Sequence, residues 1–344
     1  MILYGAEAPP RHGGDLSVAR RLFPDAREPF IDLSTGINPN PYKLPRLPAG
    51  LFSRLPDGEA TEALAAAAAR AYGAPSAACI VAAPGSQILL PLAAALARPG
   101  LAAILTPSYG EFAPAAQMAG HAVRPIEGLG ECGEAALAII GNPNNPDGRV
   151  FAGDALIALA DRLGARGGLL VVDEAFMDVG APGASLAGAV LRGNIVVLRS
   201  FGKFFGLAGL RLGFALATPA LATRLAAALG PWAVSGPAQV IGARALADTD
   251  WIERTRRRLA NAAKRLDAVL SRAGLDILGG TSLFRLARTP AADALYRHLG
   301  RAGIFVRTFP DRPVWLRFGL PPDGTAWDRL EAALASFRPA VRPG

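Results

Sequence analysis

The sequence predicts an α/β layered domain joined to a smaller α+β domain, and three observations carry that prediction. From about residue 59 to 217, helix-like and strand-like segments alternate in the order expected of a layered α/β domain. The strand-like runs are short, apolar, partly β-branched and bounded by Gly, Pro, Asn or Asp, as strands covered on both faces of a parallel sheet are. After Pro237 the pattern changes to a long helical stretch and then to strands with helices between and after them. The expected divisions are residues 1–45, 46–240 and 241–344. They are a segment packing on the small domain and the active site, the large domain, and the small domain itself.

The elements follow in order. Residues 1–45 are rich in Pro and Gly and carry little periodicity, so they are expected to wrap over a body built by later sequence. Residues 59–72 predict a helix, 78–82 a strand, 87–97 a helix and 102–106 a strand. Further strands are predicted at 136–140, 169–172 and 194–198, with functional residues at their ends. The later helical stretch reaches about residue 272, and strand-like runs follow at 275–286, 304–308 and 314–318. No internal repeat is present.

Composition narrows the function classes. With 344 residues, 51% hydrophobic and 19% charged, the chain can bury a large core and is no disordered tail. No run reaches the roughly 20 apolar residues of a bilayer span, which predicts no membrane partner. Met1 to Asp15 lacks a basic region followed by an apolar core, so the expected location is cytoplasmic. Cys79 and Cys132 make neither a disulfide framework nor a metal-ligand spacing, and they are expected as small core residues without a metal. The net charge of +8 could suit nucleic acid, but its distribution does not. The dense cluster Arg254, Arg256, Arg257, Arg258, Lys264 and Arg265 alternates with Leu259, Leu266 and Val269 at helical spacing, which is a solvated helix face.

Only three lysines occur, Lys43, Lys203 and Lys264. Lys203 lies in Ser200-Phe201-Gly202-Lys203-Phe204-Phe205, directly after an apolar strand. In aromatic surroundings an amine loses hydration, which favours its neutral, nucleophilic form toward an aldehyde. Ser200 and Arg211 flank it, and a hydroxyl with a guanidinium suits a phosphate ester. Asp173, in Val171-Val172-Asp173-Glu174-Ala175-Phe176, places a carboxylate at a strand end where it can pair with a cationic nitrogen. Residues 142–148, Asn-Pro-Asn-Asn-Pro-Asp-Gly, form a turn presenting asparagine side chains.

In this order, Asn-Pro-x-Asn-Asn-Pro, Asp-Glu-Ala and Ser-x-x-Lys with Gly-x-Arg-x-Gly, the set resembles the aspartate aminotransferase superfamily of pyridoxal-phosphate enzymes, fold type I. The resemblance extends over the whole chain. It implies a mostly parallel sheet with helices on both faces in a large cofactor-binding domain, and a smaller α+β domain formed by the N-terminal segment and the C-terminal third. It also implies that pyridoxal 5'-phosphate is attached through Lys203, that Asp173 pairs with its pyridine nitrogen and that Asn145 donates to its phenolic oxygen. Ser200 and Arg211 would hold its phosphate, joined by Gly85, Ser86 and Gln87 at the start of a helix, where an anion is favoured. Tyr109, in Thr106-Pro107-Ser108-Tyr109-Gly110, matches the aromatic residue that stacks on the ring.

Within the superfamily the chain resembles the threonine-phosphate decarboxylases of cobalamin biosynthesis. The matching segments are His12-Gly13-Gly14, Asp32-Leu33-Ser34-Thr35-Gly36-Ile37-Asn38-Pro39, Asp-Glu-Ala-Phe ending at Phe176, and Pro231-Trp232-Ala233-Val234. Histidinol-phosphate aminotransferases share the cofactor residues but usually carry Tyr where Phe176 stands. Two positions depart from the decarboxylase pattern. Gly36 stands where that subfamily often has an asparagine directed at the substrate. Leu55 stands where relatives commonly have a tyrosine reaching the cofactor phosphate of a neighbouring subunit.

The resemblance implies substrate contacts from His12, Asn38, Arg307 and Arg317. The two arginines fall on apolar strand-like runs, where a cation needs an anionic partner. His121 and His298 are expected to be structural or exposed. The implied activity is decarboxylation of a phosphorylated amino acid, L-threonine O-3-phosphate, by a homodimer. The alternative is transamination of histidinol phosphate or a related amino acid.

Overall fold

Short apolar runs between residues 80 and 216 cannot hide their side chains alone, and they pair into one buried sheet. The computed structural model describes residues 12–338 apart from Pro182. The first eleven residues of the expected N-terminal segment therefore lie outside the described residues. The chain divides into two compact units, one Pro41–Arg256, the other running up to Asn40 and resuming at Arg257.

The first strand, β1 (Ile31–Leu33), belongs to the smaller unit. The next seven build the large sheet: β2 (Ile80–Ala83), β3 (Leu101–Leu105), β4 (Ala122–Ile126), β5 (Leu137–Gly141), β6 (Leu169–Asp173), β7 (Ile195–Ser200) and β8 (Gly213–Leu216). Their spatial order is β2-β8-β7-β6-β5-β3-β4. β8 runs antiparallel to β2 and β7, and the remaining pairs are parallel. In register, Gly141 opposes Asp173 and Asp173 opposes Leu198, so the carboxyl ends of β5, β6 and β7 share one edge. β5 is buried throughout, as the apolar run predicted.

Differences from the sequence expectation have local causes. β4 contains Arg124 and Pro125, and it carries no apolar run because it is the exposed edge strand, where proline costs no central ladder bond. β8 is only four residues long and starts with a glycine. The helix expected at 87–97 is a single tight turn, Ser86–Ile88, continued by the helix Leu89–Ala94. The long helical stretch is two helices, Gly236–Ala247 and Thr249–Arg272. The break falls at Asp248, whose carboxylate accepts from the Trp251 N–H at 3.0 Å and so starts a new helix.

In the smaller unit the helix Leu16–Leu22 and β1 precede β9 (Asp276–Thr281), β10 (Phe284–Arg288), β11 (Ile304–Thr308) and β12 (Trp315–Gly319). The sheet order is β1-β11-β12-β10-β9, with β1 parallel to β11 and the other pairs antiparallel. The expected strand 275–286 is thus a hairpin, whose turn is held by the Leu283 N–H donating to the Thr281 hydroxyl at 3.1 Å. Residues before β1 pack closely on this unit: the Phe23 ring lies 2.3 Å from where a Cβ on Gly300 would stand. Among the described residues no helix is long and apolar enough to cross a membrane.

Candidate active site

The chain leaves β7 at Ser200 and turns at once into the short helix Phe201–Phe204, which carries Lys203. Phe201, Phe204 and Phe205 are buried, with Phe201 and Phe205 stacked at 4.3 Å and Phe205 stacked on Trp251 at 5.5 Å. They anchor the turn from beneath. Lys203 Nζ stands 5.8 Å from the ring centre of Phe176, at the end of the Asp-Glu-Ala-Phe segment.

A cavity of about 200 Å³ opens at the carboxyl edge of the sheet. Gly85, Ser86, Gln87, Tyr109, Asn145, Asp173, Ser200, Lys203 and Arg211 all line it, so residues spread over 127 positions of sequence are brought to one place. Asp173 is the last residue of β6, and its carboxylate accepts from the Ala175 N–H at 3.1 Å. Burial pushes its carboxyl up to about 6, although the Ala175 N–H and the Lys203 charge pull it down. Tyr109 donates its hydroxyl to Gln87 Oε1 at 3.0 Å, which ties the two walls of the cavity.

Two glycines form a cradle beside Arg211. Gly85 has φ +90°, and a Cβ there would lie 2.6 Å from Arg211 Nη2. Gly213 opens β8 directly beneath Ser86, where a Cβ would come within 2.3 Å of the Ser86 nitrogen. Arg211 itself adopts left-handed backbone, φ 54°, which is uncommon outside glycine and directs its side chain back over the turn. The guanidinium also donates to the Ala208 carbonyl at 3.1 Å.

The asparagine turn divides its labour. Asn142 is buried and donates to the Phe151 and Ala184 carbonyls, while accepting from the Phe151 N–H at 2.8 Å. Asn144 is buried and donates to the Pro107 carbonyl and to Asp147. Of the three asparagines in the turn, Asn145 lines the cavity.

Sequence reasoning missed a buried ionic cluster next to the site. Arg199, between Leu198 and Ser200, pairs with Glu174 at 3.0 Å and with Asp178 at 2.8 Å, and its guanidinium lies 4.2 Å over the Tyr72 ring. Glu174 also accepts from the Ser185 hydroxyl and the Leu186 N–H, both at 2.7 Å. Burial raises the Glu174 carboxyl above its ordinary range despite these partners. Glu174 follows Asp173 and Arg199 precedes Ser200, so the pair links the ends of the two strands that carry cavity residues. An arginine within an apolar strand was the available signal.

In the smaller unit, Arg307 on β11 and Arg317 on β12 occupy opposing register positions. Arg317 is buried and donates to the Ser34 carbonyl at 3.0 Å. Burial and the charge of Arg307 push its guanidinium down to about 9. Ser34 also meets the His-Gly-Gly segment: its hydroxyl accepts from the Gly14 N–H at 2.8 Å, and a Cβ on Gly13 would lie 2.4 Å from its carbonyl oxygen. His12 is exposed at the head of this contact, and Asn38 is buried, accepting from the Asn40 N–H at 3.0 Å. His121 and His298 bond the Ala94 and Ala333 carbonyls.

The model of the class I and II aminotransferases matches residues 30–335. The chain belongs to the class I and II aminotransferase family. It is 44% identical to a threonine-phosphate decarboxylase of Pseudomonas aeruginosa over 336 residues, covering 95% of this chain and 98% of that enzyme. A Sinorhizobium enzyme of the same name is 45% identical over 334 residues, again covering 95% and 98%. Among solved structures, the histidinol-phosphate aminotransferase of Sinorhizobium meliloti in complex with pyridoxal-5'-phosphate superposes with a TM-score of 0.73. It is 25% identical, and the match covers 83% of each chain.

The cavity fits the family's cofactor on its own chemistry. A carboxylate whose burial favours its neutral form gains from a cationic ring nitrogen. The absence of side chains at Gly85 and Gly213 lets the Arg211 guanidinium and the Ser86 main chain come together on the cavity wall, a donor set that suits a phosphate. The amine of Lys203 opens on the same space.

Proposed function

We propose that the chain is a pyridoxal-phosphate-dependent lyase that decarboxylates L-threonine O-3-phosphate to (R)-1-amino-2-propanol O-2-phosphate for the side chain of cobalamin. The observation that carries the reading is the full-length likeness to two threonine-phosphate decarboxylases, taken with Phe176 beside Lys203. When bound, the cofactor supplies an electron sink for the carbon that loses its carboxylate. The protein's part is placement and proton control. Lys203 would hold the cofactor's aldehyde carbon until the substrate's amino group displaces it, and its freed amine would then carry a proton to the substrate carbon that loses the carboxylate. Asp173 would keep the ring nitrogen protonated, Asn145 would donate to the phenolic oxygen and Tyr109 would supply an aromatic face for the ring. Ser200, Arg211 and the Gly85-Ser86-Gln87 turn hold the phosphate.

His12, Asn38, Arg307 and Arg317 are the candidate contacts for the substrate's two anionic groups. Two opposed arginines suit a ligand with a carboxylate and a phosphate. The enzyme works as a homodimer in the cytoplasm; the exposed side chains of Phe52 and Leu55 support pairing of two copies through the large unit.

Lys203→Ala, loaded with cofactor, binds ligand without turning it over. Calorimetric titration of this variant is expected to give tighter binding of L-threonine O-3-phosphate than of histidinol phosphate. The reverse order would favour the aminotransferase alternative.

A further inference from the structure

We propose that Asp147 is a positioning residue that sets Asn145 and Tyr109 against each other by clamping the two loops that carry them; the proposal rests on the cavity holding pyridoxal phosphate. The loop after β5 is stitched around this carboxylate. Asp147 Oδ1 accepts from Asn144 Nδ2 at 2.7 Å and from the Arg149 N–H at 3.1 Å, and Oδ2 lies 3.4 Å from Arg149 Nη2. Asn144 and Arg149 also close the turn through their main chains, the Asn144 N–H donating to the Arg149 carbonyl at 2.8 Å.

Both partners of Asp147 then reach across to the neighbouring loop. Asn144 Nδ2 donates to the Pro107 carbonyl at 2.8 Å, and Arg149 Nη2 donates to the Thr106 carbonyl at 3.2 Å. Arg149 Nη1 extends the contact to the Glu127 carbonyl at 2.9 Å, beyond the end of β4. The Thr106-Pro107 main chain leads within two residues to Tyr109, and Asn144 immediately precedes Asn145. One carboxylate therefore orients the two side chains that fix the spacing between these loops.

The clamp has little room to adjust. A Cβ on Gly141, at the end of β5, would lie 2.8 Å from Asn144 Oδ1, so the amide is held from below as well. Asp147 and Arg149 are mostly enclosed, with side chains 20% and 33% exposed, which limits screening of their pairing by water. Asn144, Asp147, Arg149, Thr106 and Pro107 do not line the cavity, whereas Asn145 and Tyr109 do. The clamp's effect on bound cofactor passes through the two side chains it places.

The test uses the intact protein with pyridoxal phosphate. Asp147→Ala is expected to weaken cofactor binding roughly 3- to 10-fold, the size of one lost hydrogen bond. It is also expected to raise the pH midpoint of the bound cofactor's absorbance, because a misplaced Asn145 stabilises the phenolate less. Asp147→Asn keeps an oxygen acceptor and is expected to recover part of both effects. Arg149→Met should move both readouts the same way, and the double variant should change less than the sum of the two, since they act through one clamp. Arg149→Met also serves if Asp147→Ala does not fold. Variants that lose thermal stability while keeping cofactor affinity and absorbance midpoint would overturn the proposal. Wild-type protein that fails to bind the cofactor would overturn the reading beneath it, and the proposal with it.

Discussion

Arg307 and Arg317 stand directly opposite each other on adjacent antiparallel strands, two cations where a sheet ordinarily places complementary or apolar neighbours. Arg317 is buried, and its charge is disfavoured both by that burial and by Arg307. Such an arrangement gains from a ligand bearing negative charge.

Arg307→Ala is expected to remove a charge-assisted contact to the substrate's phosphate worth roughly 1.5 to 3 kcal/mol, or about 10- to 150-fold in affinity. The loss is expected for threonine phosphate and not for unphosphorylated threonine, measured by titration of cofactor-loaded protein. Equal losses for both ligands would assign Arg307 to the carboxylate or to the fold.

Gly85→Ala and Gly213→Ala separate cofactor binding from folding. At Gly85 the new methyl meets the far end of a flexible side chain, Arg211 Nη2, so the guanidinium is displaced. Cofactor affinity should fall about 10-fold, with the left-handed backbone adding about 1 to 2 kcal/mol of strain. At Gly213 the methyl meets the main chain of Ser86, and the larger change should be in melting temperature. Gly85→Ala with unchanged cofactor affinity would contradict the cradle's role.

Asp173 predicts a pH dependence. Its folded carboxyl lies at about 6, above the model-peptide value of about 3.9. The stability it contributes to cofactor-free protein is therefore full below pH of about 4 and is lost as pH rises through about 6, a change of at most about 3 kcal/mol. Asp173→Asn removes this titration, so denaturation midpoints of wild type should fall relative to the variant between about pH 4 and pH 6. Parallel profiles would show that the carboxyl is not raised. With cofactor bound, the same variant should lose most activity, because a neutral amide does not hold the ring nitrogen protonated.

Glu174→Ala leaves Arg199 buried with half of its pairing gone. Breaking a buried ion pair in this way costs about 3 to 5 kcal/mol, measurable by urea denaturation. A loss below about 1 kcal/mol would mean that Asp178 alone satisfies the guanidinium.

Much of this was legible in the sequence because chemistry here sits at the ends of apolar strands. Asp173 and Ser200 close runs such as Leu169–Asp173 and Ile195–Ser200, and the runs predict where those side chains emerge. The edge strand Ala122–Ile126 was not legible, since an exposed strand carrying Arg124 and Pro125 shows neither alternation nor an apolar run. Glu174 and Arg199 read as part of motifs, but their pairing is a contact between residues 25 positions apart, which local pattern does not encode. The aromatic setting of Lys203 includes a ring its own segment does not show: Phe205 stacks on Trp251, and Phe176, 27 positions earlier, stands 5.8 Å from the amine. Likewise Asn142, Asn144 and Asn145 look equivalent in the turn itself; the family resemblance singles out Asn145, and the hydrogen bonds of Asn142 and Asn144 mark those two as structural amides.

The most direct test is the fate of the substrate's carboxylate. Purified protein with pyridoxal phosphate is incubated with L-threonine O-3-phosphate, with and without a 2-oxo acid acceptor, and carbon dioxide and 2-oxo acid product are quantified together. The expected result is one carbon dioxide released per 1-amino-2-propanol O-2-phosphate formed, independent of the acceptor. Acceptor-dependent formation of a 2-oxo acid with no carbon dioxide would contradict it.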